Sequence, residues 1–403
     1  MISLTELALR IHSVSVMRDL LEDSVIKSLA DFLDLPDTET TGRKINAYTD
    51  FVHALYAAET DNLSKYIQKL VFESENVYVR IKGRGDMPSA ALEKSLCEDL
   101  KTFEEISALT PETLGKELGG YDFLPGWICE KADIKRDYLK RVERIEKYGY
   151  GIYAGYKMFY ISEGGAITPV QNPDPTRLDD LIDYKREQKI ILNNTRALLE
   201  GKPAANILLT GDAGTGKSST IKAVVNELFS EGLRIIEVRK EQLHGIPKIL
   251  DELTENPLKF ILFIDDLSFT KDDDNFSALK AILEGSVSAK SGNVVIYATS
   301  NRRHLVKETF TDREGDDVHF NDTVQEILSL SERFGIQLTF QRPDKATYLD
   351  IVRSLADKRE IKYDKEKLEA AAERFALKRG TRSARAARQF IDGITAGNIK
   401  EII

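Results

Sequence analysis

The sequence predicts an α/β fold: a five-stranded parallel sheet between layers of helix, with a mostly helical region ahead of it and a small helical region behind. Two observations carry this prediction. Five short runs, 206–210, 234–238, 260–264, 294–298 and 336–340, are nearly all apolar instead of alternating. Strands covered on both faces read that way, because neither face is left to water. Helical segments separate the runs. In one of them Ile221, Val224, Val225 and Leu228 recur at i, i+3, i+4 and i+7, which turns one apolar stripe toward a core.

Along the chain, residues 1–150 read as mostly helical. Leu139, Val142 and Ile145 fall at helical spacing in a helix expected over Asp137–Tyr148. Breaks are expected at Leu35-Pro36-Asp37, Gly83 to Pro88, Thr110-Pro111 and Leu124-Pro125-Gly126. Residues 151–175 change character: a Tyr- and Gly-rich stretch suggests a small hairpin around Gly164-Gly165, and Pro173 and Pro175 mark a linker. Residues 176–342 hold the five apolar runs. A helix is expected there from about Tyr184 to Glu200, stopped by Gly201 and Pro203. After Pro343 the strand signal ends, and 343–403 read as a small all-helical region.

Composition excludes several classes. Hydrophobic residues at 42% and charged residues at 31% suit a globular chain with a real core. The longest strongly apolar run, Phe260–Ile264, is far too short to cross a bilayer. Met1–Arg10 lacks the basic-then-apolar pattern of a secretory signal. Cys97 and Cys129 form no CxxC and have no His cluster nearby, which speaks against a zinc site or a disulfide framework. A cytoplasmic location without membrane contact is the expectation. A net charge of −9 argues against a general nucleic-acid coat protein.

The chemistry-bearing motif is Gly211-Asp212-Ala213-Gly214-Thr215-Gly216-Lys217-Ser218, a complete Walker A sequence followed by Ser219. It follows a predicted strand and opens a predicted helix. Glycines let successive N–H groups curl toward phosphate oxygens, and the helix N-terminus adds its positive end. Lys217 can then reach the β- and γ-phosphates of ATP, and Ser218 can ligate Mg²⁺. The plain alternative is a glycine-rich turn without a ligand. Phe260-Ile-Leu-Phe-Ile-Asp265-Asp266 reads as Walker B: a buried strand delivers Asp265 to hold Mg²⁺. Asp266 stands where many such ATPases carry Glu, the residue that polarises the attacking water. Asp is one methylene shorter, so Glu284 is a second candidate acid, against the plainer reading of an exposed residue at a helix end.

Three further segments fit the AAA+ pattern. Asn301, after the fourth strand, is placed to act as sensor 1, or else is a strand-end turn residue. Arg333, in Ser331-Glu-Arg-Phe-Gly before the last strand, is placed to act as an arginine finger in a neighbouring subunit's ATP site. A guanidinium suits that role, since it stays charged and grips phosphate oxygens with several donors. Its alternative is a surface ion pair. Arg382, Arg385 and Arg388 lie three apart. Arg385 is the candidate sensor 2, with Arg382 as runner-up; a basic strip for nucleic-acid backbone is the competing reading. Leu181 and Ile182 match the segment that borders the adenine.

Four strings, Phe260–Phe269, Leu279–Gly285, Tyr297–Leu305 and Leu328–Gly335, are similar to a bacterial family of AAA+ ATPases known as a domain of unknown function, the one numbered 815. Ser383-Ala384-Arg385 also fits, although the family often has Gly where Ala384 stands. The resemblance implies an αβα sandwich with a C-terminal helical lid, ATP and Mg²⁺ as ligands, and a homo-oligomer, of which a hexamer is one form. It supplies no cellular role. The leading expectation is ATP hydrolysis between subunits that drives a switch or remodels a protein partner bound by the N-terminal region. Alternatives are a nucleotide-dependent binding module with little turnover, a loader or regulator of a nucleic-acid enzyme, and a small-molecule kinase. Arg239–Gly245 lacks the aromatic-led pore loop of protein-threading rings.

Overall fold

A computed structural model describes residues 3–268, 274–284, 292–301 and 330–399. The chain divides into two compact units, residues 1–155 with 255–257, and residues 156–254 with 258–403.

The first unit is helical throughout its described elements: α1 (Leu4–Ser13), α2 (Ser24–Leu33), α3 (Thr41–Ala57), α4 (Leu63–Phe72), α5 (Val77–Gly83), α6 (Ala90–Ser107), α7 (Pro111–Lys116), α8 (Ile134–Val142), α9 (Ile145–Tyr148) and α10 (Ile152–Gly155). Their starts are encoded locally. Ser3, Asp23, Asn62, Asn76, Ser89 and Thr110 each accept a backbone N–H of the following first turn, and Pro111 occupies a position where no donor is lost. Leu29, Phe51, Leu55, Ile67, Leu100 and Phe103 are fully buried in the shared core. Asp99, also buried, accepts the N–H groups of Ser15, Val16 and Met17, so its charge is fully solvated by backbone. The single helix expected over Asp137–Tyr148 is instead two, α8 and α9. The break returns Tyr148 over the Arg141 guanidinium, which lies 4.5 Å from that ring and 4.8 Å from the Phe72 ring.

The second unit is built on a seven-stranded sheet: β1 (Met158–Ile161), β2 (Ile167–Pro169), β3 (Ile207–Gly211), β4 (Leu233–Glu237), β5 (Lys259–Ile264), β6 (Val294–Ser300) and β7 (Ile336–Phe340). Their order across the sheet is β2-β1-β4-β5-β6-β3-β7. The five expected strands are present and parallel, and five is a correct count of the core but not of the sheet. The hairpin at 158–169 adds two more, β1 running parallel to β4 with Met158 opposite Ile235, and β2 antiparallel to β1. An unpaired β4 edge would leave a row of N–H and C=O groups open; β1 closes it.

The central strands are buried on both faces, as Leu208 and Leu209, Ile235 and Ile236, and Ile261 and Leu262 show at 2% exposure or less. Two helices follow from the sequence as expected, α11 (Lys185–Leu199) and α12 (Lys217–Leu228). The stripe Ile221, Val224, Val225 and Leu228 is fully buried against the sheet, each side chain contributing about 1.5–3 kcal/mol of transfer free energy. Then come α13 (Ile246–Thr254) and α14 (Asp274–Glu284). After β7 the chain forms α15 (Lys345–Lys358), α16 (Lys365–Arg379) and α17 (Ala384–Thr395), which pack around Tyr348, Val352, Leu368, Ala372 and Phe390. Among the described residues, no helix is long and apolar enough to cross a membrane.

Candidate functional site

The carboxyl end of β3 runs directly into the Walker A loop, and the backbone there demands glycine. Gly211, Gly214 and Gly216 all have positive φ, of 138°, 81° and 97°. A side chain at Gly211 would also collide with the Phe340 carbonyl of β7. The loop therefore curls tightly before α12 begins at Lys217.

Lys217 is buried, and its ammonium donates to the carbonyls of Gly211 and Asp212, both at 2.8 Å, and to Asn301 Oδ1 at 3.0 Å. Burial pushes its pKa down from the ordinary lysine value, and the carboxylates of Asp265, Asp266 and Asp212 oppose that shift. Asn301 then donates through Nδ2 to Asp266 Oδ1 at 2.6 Å. Ser218 Oγ donates to Asp265 Oδ1 at 2.6 Å. One polar chain thus links the ends of β3, β5 and β6. The donors beside it, a hydroxyl and a carboxylate, are hard oxygens of the kind Mg²⁺ takes.

Thr299 belongs to no motif of the sequence. Its Oγ1 donates to Asp265 Oδ1 at 2.5 Å and accepts the Asp266 N–H at 2.9 Å. Asp266 has a left-handed backbone, φ 53°, which Asp tolerates better than most residues. The Thr299 hydroxyl pins that turn and fixes where both carboxylates point. Its only sequence signal is position: two residues before Asn301, on the same strand face.

These groups line a cavity of about 470 Å³ together with Ala213, Gly214, Gly216, Ser219, Leu181, Arg385 and Arg388. Ile182 and Thr215 line an adjoining narrow cleft with Leu181, Ile351 and Leu355. Asp212 pairs through its carboxylate with Arg342 Nε at 3.0 Å; Arg342, like Thr299, belongs to no motif of the sequence.

Residues 154–398 match the family described as a protein of unknown function, DUF815. The chain belongs to this family. Within the matched residues the P-loop strand β3 lies between β6 and β7 in a mostly parallel sheet, and a helical bundle follows the last strand. Among solved structures, the Thermotoga maritima RuvB Holliday junction branch migration motor is similar at 18% identity and a TM-score of 0.36, over 56% of this chain and 68% of that one. The C. elegans protein PCH-2 is similar at 17% identity and a TM-score of 0.39, over 56% and 66%. No curated protein matches the chain.

Within the DUF815 module the lid reaches the P-loop directly. Ser383 caps α17 through the Ala386 N–H, and the Arg385 N–H donates to the Gly214 carbonyl at 3.3 Å. A side chain at Gly214 would press on Ser383 and Arg385. The arginines expected near one another separate here: Arg385 and Arg388 line the cavity, whereas Arg382 forms a two-pronged pair with Glu373, at 3.0 Å for each contact.

Arg333 is not among the residues lining this cavity. It precedes β7, in which Ile336 lies opposite Ile207 at the start of β3, whereas Phe340 lies opposite Gly211 at the P-loop end. Arg333 therefore sits at the other end of the sheet from its own P-loop, where Nη2 pairs with Glu284 Oε1 at 2.6 Å. Glu284 is likewise absent from the cavity lining. Arg302 and Arg303, the basic pair after Asn301 that would add to a nucleic-acid-binding strip, lie outside the described residues.

Proposed function

We propose that this protein hydrolyses ATP with Mg²⁺ at a site completed by a neighbouring copy, and that the cycle moves its helical lid to switch or remodel a protein partner. The observation that carries this reading is the polar chain Lys217–Asn301–Asp266 beside Ser218 and Asp265, all opening on one cavity.

Each residue has a role that follows from its chemistry. The loop N–H groups and Lys217 take the triphosphate. Ser218 and Asp265 would hold Mg²⁺, which neutralises developing phosphate charge when bound. Asp266 accepts the proton of the attacking water, and Asn301 orients Asp266 and that water. Arg385, whose backbone is tied to the P-loop, reads phosphate from the lid. Leu181 and Ile182 border the adenine. The position of Arg333, remote from its own P-loop, suits action in trans.

Asp266→Asn is expected to lower turnover by about 10²-fold or more, since a carboxamide cannot accept the water's proton. ATP affinity should stay near wild type. Phosphate release and equilibrium ATP titration read the two quantities. Unchanged turnover would show that Asp266 is not the proton acceptor, whereas negligible turnover already in the wild type would favour the second reading, a nucleotide-dependent binding module, which rests on Asp266 being shorter than the usual Glu.

Two other readings are disfavoured by specific contacts. In the segment considered for a pore loop, Leu243 is fully buried and Gln242 Nε2 donates to the Ile161 carbonyl at 3.0 Å, so it is anchored to the hairpin. For nucleic acid, the three lid arginines form no open strip, because Arg382 is held by Glu373 and the other two face the cavity.

A further inference from the structure

Arg333 and Glu284 come from segments distant in sequence, yet their side chains meet at 2.6 Å, each about one third exposed. Both are set on rigid supports. Glu284 ends α14, whose Leu279 and Leu283 are buried, and Arg333 closes a turn anchored by buried Leu330 and Phe334, its N–H donating to the Leu330 carbonyl. The pairing is thus fixed by two anchored elements and not by two loose side chains finding each other at the surface.

We propose that Glu284 is a positioning residue for Arg333: it holds the guanidinium in the lone protomer and is exchanged for a neighbour's ATP phosphate on assembly. The inference rests on Arg333 acting in trans. A carboxylate carries one negative charge and two acceptor oxygens, whereas a triphosphate terminus carries more of both, so phosphate is the stronger partner for the same guanidinium. Glu284 keeps the arginine extended and charge-balanced while no phosphate is near. It also imposes a cost on assembly, because its ion pair must open first. ATP between subunits is then what makes the exchange favourable, and nucleotide-free copies have less reason to associate.

Glu284→Gln removes the competing charge and retains the shape. Turnover and light scattering with ATP, measured across a protein concentration series, read the effect. The protein concentration at half-maximal activity should fall by about two- to five-fold, the range expected for an exposed to half-exposed ion pair. Glu284→Ala, which also removes the charge, should shift it in the same direction. In an Arg333→Ala background Glu284→Gln should no longer change the scattering midpoint, since the two act as one unit. A midpoint that is unchanged or raised in both single variants overturns the inference. The underlying reading fails separately: if Arg333→Ala alone turns over ATP like wild type, Arg333 is no finger, whatever Glu284 does.

Discussion

Replacing Arg333 with alanine is expected to lower ATP turnover by about 10³-fold or more, with ATP affinity retained. The reason is positional. Arg333 precedes β7, whose start lies level with Ile207, and four residue steps of β3 separate that level from Gly211 of the P-loop. At about 3.3 Å per residue this is roughly 13 Å of strand, more than its side chain can span to its own phosphates. Loss of the guanidinium should therefore leave binding within the protomer intact and remove charge stabilisation supplied across an interface. Arg333→Lys should rescue little, because an ammonium lacks the planar fork of donors. Phosphate release at saturating ATP, with ATP titration on the same samples, checks both parts. Full turnover would reduce Arg333 to one half of a surface ion pair with Glu284.

Lys217→Ala should remove both binding and chemistry. Its ammonium contacts two P-loop carbonyls and Asn301, and faces the charges of Asp265, Asp266 and Asp212. Without it, those three carboxylates meet a triphosphate with less opposing charge, so affinity falls. The lost preorganised donor alone accounts for about 10²- to 10³-fold in turnover. A thermal melt gives an independent check: ATP with Mg²⁺ should raise the melting temperature of wild type and leave that of Lys217→Ala unchanged, since only a bound ligand stabilises by mass action.

The parts legible in the sequence were those with a local signature. The central strands announced themselves because burial on both faces leaves no polar alternation, as in Phe260–Ile264; the edge strand β7 departs from that expectation, alternating as Ile336-Gln-Leu-Thr-Phe340 with Gln337 and Thr339 exposed. The α12 stripe was readable from spacing alone, and the glycines of 211, 214 and 216 stand where the loop needs positive φ. What sequence could not give was decided by tertiary partners. β1 and β2 are only four and three residues long, and their place beside β4 depends on an edge that needs covering. Thr299 stands beside Ser300 at the end of an apolar run, and only its place two residues before Asn301 marks it. Spacing alone leaves Arg382 and Arg385 equivalent; the Ser383-Ala384-Arg385 pattern favours Arg385, and the pairing of Arg382 with Glu373 of α16 is what a sequence does not show. The contact of Arg333 with Glu284 is non-local in the same sense: each was readable as a residue of interest, but their meeting was not.

Hydrolysis between copies of this chain, as proposed, would draw Lys217 from one copy and Arg333 from the next. The most direct test mixes Lys217→Ala and Arg333→Ala proteins, each expected to be inactive alone, and measures ATP turnover. In a head-to-tail ring, an Arg333→Ala protomer keeps its P-loop and can receive Arg333 from a Lys217→Ala neighbour. An equimolar mixture should then recover activity, at about a quarter of the wild-type sites for random assembly. A mixture that stays as inactive as its components, while light scattering shows that they assemble together, would contradict the shared site.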